Sequence, residues 1–192
     1  MKKYLFCFLS LWVSLGAQAD WQLKGADSSV NFISIKKSAM AEVHLFKQLS
    51  GSINNNGEVN ASIDLASVDT NIAIRNERMK NLLFDVKKFA TANIVAKVDG
   101  DKLKAMKNGE FYQEDFEIVL SLHGIDKKIT TAINVVKLAD GSIRVSSVHP
   151  IILAAQDFGL LEGVEALRVV ANLSVISTAV PVTFNMVFTE AD

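Results

Sequence analysis

One short stretch concentrates side chains able to grip a ligand. Asp69-Thr70-Asn71 is followed closely by Arg75-Asn76-Glu77-Arg78. On a helix, Arg75 and Arg78 lie about one turn apart and share a face. A guanidinium can hold a phosphate through two parallel hydrogen bonds. Asn71, Arg75 and Arg78 are therefore candidates for contact with an anionic head group, beside the apolar Met79 and Phe84. The same pattern also describes a capped, salt-bridged surface helix, and the residues leave both readings open.

The rest of the chain offers little reactive chemistry. His44, His123 and His149 fall on separate expected elements, without the close spacing of a metal motif. Hydrogen-bonded or surface histidines are expected instead. There is no Gly-x-Ser-x-Gly elbow and no Gly-rich phosphate loop. Carboxylates are plentiful, but no pair stands out as acid and base. The expectation is a protein that is not an enzyme, with no catalytic residue, no metal and no cofactor used in turnover.

The N-terminus points to export. Lys2 and Lys3 precede an apolar run from Tyr4 to Leu15, and Ala17-Gln18-Ala19 supplies a small-x-small cleavage site. The run is too short for a spanning helix, which needs about 20 apolar residues. Cys7 sits inside the run and is not followed by a polar sequence, so a lipoprotein anchor fits poorly. Residues 1–19 are read as a signal peptide cut before Asp20, with the periplasm of a Gram-negative cell as destination. Residues 20–192 then form one domain without a transmembrane segment. Removal of Lys2 and Lys3 from 20 Lys and Arg leaves 18 against 21 Asp and Glu, a formal charge of −3. No basic run appears, which excludes a nucleic-acid binder by charge. Cys7, the only cysteine, leaves too, so neither disulfides nor thiolate chemistry are expected.

Most of this domain alternates apolar and polar residues with a period of two, the mark of half-buried strands. Val59 to Leu65, Phe116 to Leu122, Ile129 to Val135 and Val182 to Phe188 are the clearest, and Val30 to Ile35, Ile94 to Val98 and Ser142 to Val148 are shorter. Asn54 to Gly57, Asp99 to Asp101, Gly124 to Lys127 and Asp140-Gly141 are expected hairpin turns. Seven or eight such strands predict a sandwich or a closed barrel. A helix is expected from about Asn71 to Leu83, capped by Asp69 or Thr70. Leu161 to Asn172 suits helix or strand, and the helix is preferred because Gly163 and Glu165 fit a strand badly.

Several segments together resemble the YceI-like proteins. Ser29 to Ile35 is similar to that family's opening strand, and Phe46-Lys47-Gln48-Leu49-Ser50-Gly51-Ser52-Ile53 to its F-x-x-x-S-G-x-I segment. Ser67-Val68-Asp69-Thr70-Asn71, with Arg75-Asn76-Glu77-Arg78-Met79, resembles its S-V-D-T-N…R-D-x-H-L signature. Leu122-His123-Gly124-Ile125-Asp126-Lys127 and Asp157-Phe158-Gly159 resemble a hairpin and a late D-F-G motif. The resemblance implies a mainly β fold, a lipocalin-like antiparallel barrel of about eight strands with one or two helices. It also implies a long-chain lipid partner, an isoprenoid or a fatty-acyl chain, held inside. The chain departs from the pattern at Asn76, at Arg78 in place of the usual His, and at Lys36 after the first strand. Leu161 to Thr178 looks long enough to lay an extra helix over one end.

In a closed barrel the alternation sends one set of side chains inward. Here that set is Phe32, Ile63, Ile94, Phe116, Ile118 and Leu120, with Ile133, Phe184 and Met186. Phe46, Met79, Phe84 and Phe158 complete the expected apolar lining. These residues either surround a tunnel or fill a solid core. A tunnel implies a carrier that sequesters a long-chain isoprenoid or similar amphiphile. A filled barrel implies an envelope interaction or assembly factor. A lipid-modifying enzyme would need a residue such as Asp69 or Arg75 to act in turnover. Edge strands or the late helix could support a homodimer.

Overall fold

The computed structural model describes residues 19–191. The expected signal peptide lies outside them, apart from Ala19, which opens the first strand. The alternating segments form β2 (Ser29–Lys36), β5 (Glu58–Asp64), β7 (Thr91–Lys97), β8 (Phe111–Leu122), β9 (Ile125–Lys137), β10 (Ile143–Ser147) and β12 (Ala179–Glu190). Five more strands join them: β1 (Ala19–Leu23), β3 (Met40–Phe46), β4 (Leu49–Asn54), β6 (Val68–Asp69) and β11 (Ile151–Ala154).

All pairings are antiparallel, and the order β1-β4-β5-β7-β8-β9-β10-β12 closes where β12 pairs with β1. The result is an eight-stranded barrel. β1 and β2 lie end to end along β12, against Phe188 to Glu190 and Val182 to Asn185 respectively. β10 and β11 lie end to end along its other side. Among the described residues twelve strands thus amount to eight long ones, some broken by short irregular turns. Closure removes the free edges that an open sheet would present.

Turn chemistry sets the register. Gly57 has φ +76°, and a Cβ there would meet the Val98 carbonyl oxygen at 2.0 Å, so only glycine fits between β4 and β5. The β8–β9 turn falls on His123-Gly124, not on the expected Gly124 to Lys127. Both residues have positive φ, 54° and 78°, as a two-residue turn between twisted strands requires. Asp99 to Asp101 does not form a hairpin. The Asp99 carboxylate instead accepts from the Lys102 amide and caps a short helix, α2 (Gly100–Ala105).

The expected first helix is present as α1 (Ala73–Arg78), continued by one π-type turn over Met79–Leu83. Its N-cap is Ile72, not Asp69 or Thr70. Those two residues are occupied differently: the Thr70 amide and hydroxyl both donate to Asn76 Oδ1. The late segment is helical, α3 (Leu161–Val170). It crosses the π-turn at Gly163, where a Cβ would lie 2.7 Å from the Leu82 carbonyl oxygen. The two helices therefore pack as one cap on the same end of the barrel.

The opposite end is closed by side chains. Trp21, Lys137 and Leu103 of α2 are all buried there, and the Lys137 ammonium sits 4.1 Å from the centre of the Trp21 ring. A desolvated contact of this kind contributes up to about 2 kcal/mol. Burial holds the Lys137 amine below its usual pKa, against the weaker pull of Glu190. Trp21→Ala should cost about 3–5 kcal/mol by cavity formation, seen as a lower denaturant midpoint with an unchanged slope.

Candidate functional site

The barrel interior is hollow. A cavity of about 230 Å3 runs through it, lined only by Val, Ile, Leu, Ala, Phe and Met side chains. Its wall follows β5 from Val59 past Ala61 and Ile63, and on to Leu65 just after the strand. That span measures about 20 Å at ~3.3 Å per residue, so the cavity is long and narrow. At one end the wall includes Leu103 of α2; at the other it includes Leu83, Phe84, Phe158 and Val164 beneath the helical cap. Two-residue periodicity explains the composition, because every second residue of each strand must face inward.

The expected lining residues Phe32, Phe46, Ile63, Phe84, Ile94 and Phe116 are on this wall, as are Ile118, Leu120, Ile133, Phe158, Phe184 and Met186. Met79 is not. It is buried in the core beneath the cap without reaching the cavity, because the α-to-π transition places it at the packed root of the helix. The rings of Phe32, Phe46 and Phe84 form a chain with centroid separations of 5.4 and 5.8 Å.

The wall becomes polar beyond Phe32. On the inward faces of β2 and β3 the paired residues run Val30–Phe46, Phe32–His44, Ser34–Glu42 and Lys36–Met40. His44 is 2% exposed, its ring lies 5.2 Å from that of Phe32, and Nε2 is 2.8 Å from the Ser34 hydroxyl. Glu42 Oε2 accepts from both Lys36 Nζ and Arg75 Nη1, each at 2.7 Å. Arg75 Nη2 donates to the Thr70 carbonyl at 2.7 Å. The Lys36 hydrogen bond, with help from Arg75, holds the Glu42 carboxyl below its usual pKa despite desolvation. Burial, then the Arg75 charge, pushes the His44 imidazole down, so it is neutral at pH 7.

The three expected head-group residues are not equivalent. Arg75 belongs to this cluster, but its terminal nitrogens are engaged by the protein. Asn71 is exposed, with φ 60°, and its amide donates to Asp69 Oδ1. The side chain of Arg78 is partly exposed and makes no hydrogen bond or ion pair among the described residues. His44, Ser34, Lys36 and Glu42 were missed as site residues. A lone histidine and scattered polar residues carry no periodic signal, and Glu42 lies 33 residues from its partner Arg75. His123 packs its ring 4.3 Å from Phe89, and His149 is exposed, so the histidines stay apart. Among the described residues no group of His, Cys, Asp and Glu could hold a metal ion, and no helix is long and apolar enough to cross a membrane.

A second hollow, of about 360 Å3, lies between α2 and β8 and is lined by Lys97, Asp99, Lys102, Tyr112 and Glu114 among others. Burial, reinforced by Glu114 and Asp99, pushes the Tyr112 hydroxyl up to about 12.

Comparison with known proteins agrees with this architecture. The family model described as YceI-like domain matches residues 21–188. A solved polyisoprenoid binding domain from Saccharophagus degradans, implicated in plant cell wall breakdown, is 37% identical with a TM-score of 0.89, over 91% of this chain and 100% of that one. Burkholderia cenocepacia BcnA shares the fold at 20% identity and a TM-score of 0.67, over 87% of this chain and 99% of BcnA. The Campylobacter jejuni YCEI protein shares it at 16% identity and a TM-score of 0.51, over 100% and 99%. No curated protein matches the chain.

The polar end has a measurable acid limit. Asp69 carries a pKa lowered to about 2, first by Lys47, then by the Asn71 amide and Asn76. Its folded value lies below the ordinary ~3.9, so its contribution is complete above that value and disappears as pH falls toward about 2. Acid unfolding followed by circular dichroism should show this component in the wild type and lack it in Asp69→Asn.

Proposed function

The chain belongs to the YceI-like domain family, and from that premise we propose that it sequesters or carries a long-chain isoprenoid or similar amphiphile inside the barrel. The observation that carries the reading is the hollow: inward side chains surround space along the whole barrel and present no polar group to it. A dry, narrow, apolar sleeve offers hydrocarbon what bulk water does not. Each buried CH2 gains ~0.8 kcal/mol. Ten to twenty of them, about 8 to 16 kcal/mol, match or exceed an association cost of ~4–15 kcal/mol. The polyisoprenoid binding of the similar Saccharophagus degradans domain supports the same ligand class.

In this reading the protein binds and does not transform its ligand. It needs no cofactor, since the polar groups near the cavity are tied to one another and not aligned as nucleophile and base. The rival reading, an envelope assembly factor with a filled barrel, is disfavoured by the same hollow. The export pattern at residues 1–19 supports a periplasmic location, where a carrier would shield a lipid tail from water between membranes.

Protein purified from its native source should yield a long-chain lipid in near-stoichiometric amount on solvent extraction and mass spectrometry. No recovered lipid, together with no uptake of an added prenyl lipid, rejects the proposal. N-terminal sequencing of the same sample should begin at Asp20. An N-terminus at Met1 rejects export by a cleaved signal.

A further inference from the structure

The exposed large apolar side chains are spread unevenly over the barrel. Met40 and Val43 of β3, Ile72 and Ile74 at the start of α1, Val169 of α3 and Val175 after it are each between 39 and 62% exposed. All six lie around the capped end. Toward the sealed end only Val95 and Phe111 are exposed in this way among the described residues. Resting on the lipid-carrier reading, we infer that the capped end docks on an anionic membrane surface, with the helical cap turned toward the bilayer.

The backbone gathers these residues. The Lys37 amide donates to the Val175 carbonyl and the Ser177 amide to that of Ile35, so the β2–β3 tip is joined to the chain leaving α3. On its far side β3 is paired only where Leu45 and Phe46 meet β6, and Ile72 and Ile74 follow soon after β6. The outward pairs of the hairpin include Ile33–Val43 and Ile35–Ala41, all apolar. An antiparallel sheet with one wet face ordinarily turns polar side chains toward the water. Apolar side chains gathered at one end mark a contact with a partner or a membrane.

Charge points to the membrane. Residues 36–44, 71–78 and 165–175 carry Lys36, Lys37, Arg75, Arg78 and Arg168 against Glu42, Glu77 and Glu165, a net charge of +2. Residues 20–192 as a whole carry −3, which leaves −5 for the rest. An anionic surface therefore attracts this end and repels the remainder, which orients the protein as well as binding it. Lys37 and Arg78 make no ion pair among the described residues. Lys37 stands at the hairpin tip, where it and Ser38 hold φ 50° and 65°. Glycine adopts that conformation more cheaply, so the tip keeps a lysine side chain against the preference of the backbone. Apolar side chains can enter the acyl boundary while the cations stay level with the lipid phosphates.

The test is flotation of the mature protein with vesicles of phosphatidylcholine alone and of phosphatidylcholine mixed with phosphatidylglycerol. The wild type should bind the anionic vesicles about tenfold or more tighter, the scale of two uncompensated cations at such a surface. High salt should remove most of that advantage. Lys37→Glu should bind the anionic vesicles about tenfold more weakly. Ile74→Ser combined with Val169→Ser should weaken binding to both vesicles, and Phe111→Ser at the sealed end should change neither. All four proteins should still take up a prenyl lipid from detergent. A wild type that takes up the prenyl lipid but floats with neither vesicle overturns the inference while the carrier reading stands. So does vesicle binding that is indifferent to Lys37→Glu and to the paired serine variant. A wild-type dimer in light scattering that the paired serine variant turns into a monomer assigns the apolar end to a second copy and overturns the inference too. A wild type that floats as expected but takes up no prenyl lipid removes the carrier reading and leaves the docking face in place.

Discussion

The structure depends on a mismatch between the circumference of the barrel and the reach of its inward side chains. Eight strands enclose an interior just wide enough either to be filled or to hold one small ligand. Here the side chains stop short of one another. Leaving about 230 Å3 empty carries a cost of about 5 kcal/mol at ~24 cal/mol per Å3. That is comparable to the whole net stability of an ordinary domain, ~5–15 kcal/mol. Closure of the hydrogen-bond ladder between β12 and β1, and the long β8–β9 hairpin, must hold the wall apart without support from the middle.

The same mismatch dictates where polar groups can go. An apolar hollow stays dry only if nothing inside offers water a partner. On β2 and β3 polar inward residues are withheld until the Phe32–His44 pair, and then Ser34, Glu42 and Lys36 follow in succession along the two strands. Arg75 reaches in from α1 to close the cluster over Glu42. One carboxylate compensates two cations, so the rim is stiff as well as charged. α3 packs on the π-turn that continues α1 through the close contact at Gly163.

The barrel was legible because most inward positions are apolar and most outward ones polar. β3 escaped for the opposite reason. Its inward residues include Glu42 and His44, while Val43 and Leu45 point outward and are exposed, so the hydrophobic pattern there is inverted by the polar rim. α2 was hidden by Asp99-Gly100-Asp101, which reads as a turn until the Asp99 cap is seen. Asp69 and Thr70 looked like helix caps because their type fits that role, yet the Asn76 side chain claims Thr70 from within the helix. The apolar lining was readable strand by strand, but whether it met in the middle was not. Strand spacing along a chain contains no information about the diameter of a closed ring.

The seal made by Trp21, Lys137 and Leu103 turns the barrel into a blind sleeve. A ligand held as proposed would then have to pass the helical cap both on entry and on exit, and the last atom in would be the first out. Such a vessel cannot work as a pipe between two surfaces docked at opposite poles. A carrier of the proposed kind would have to receive and deliver at the same face in turn.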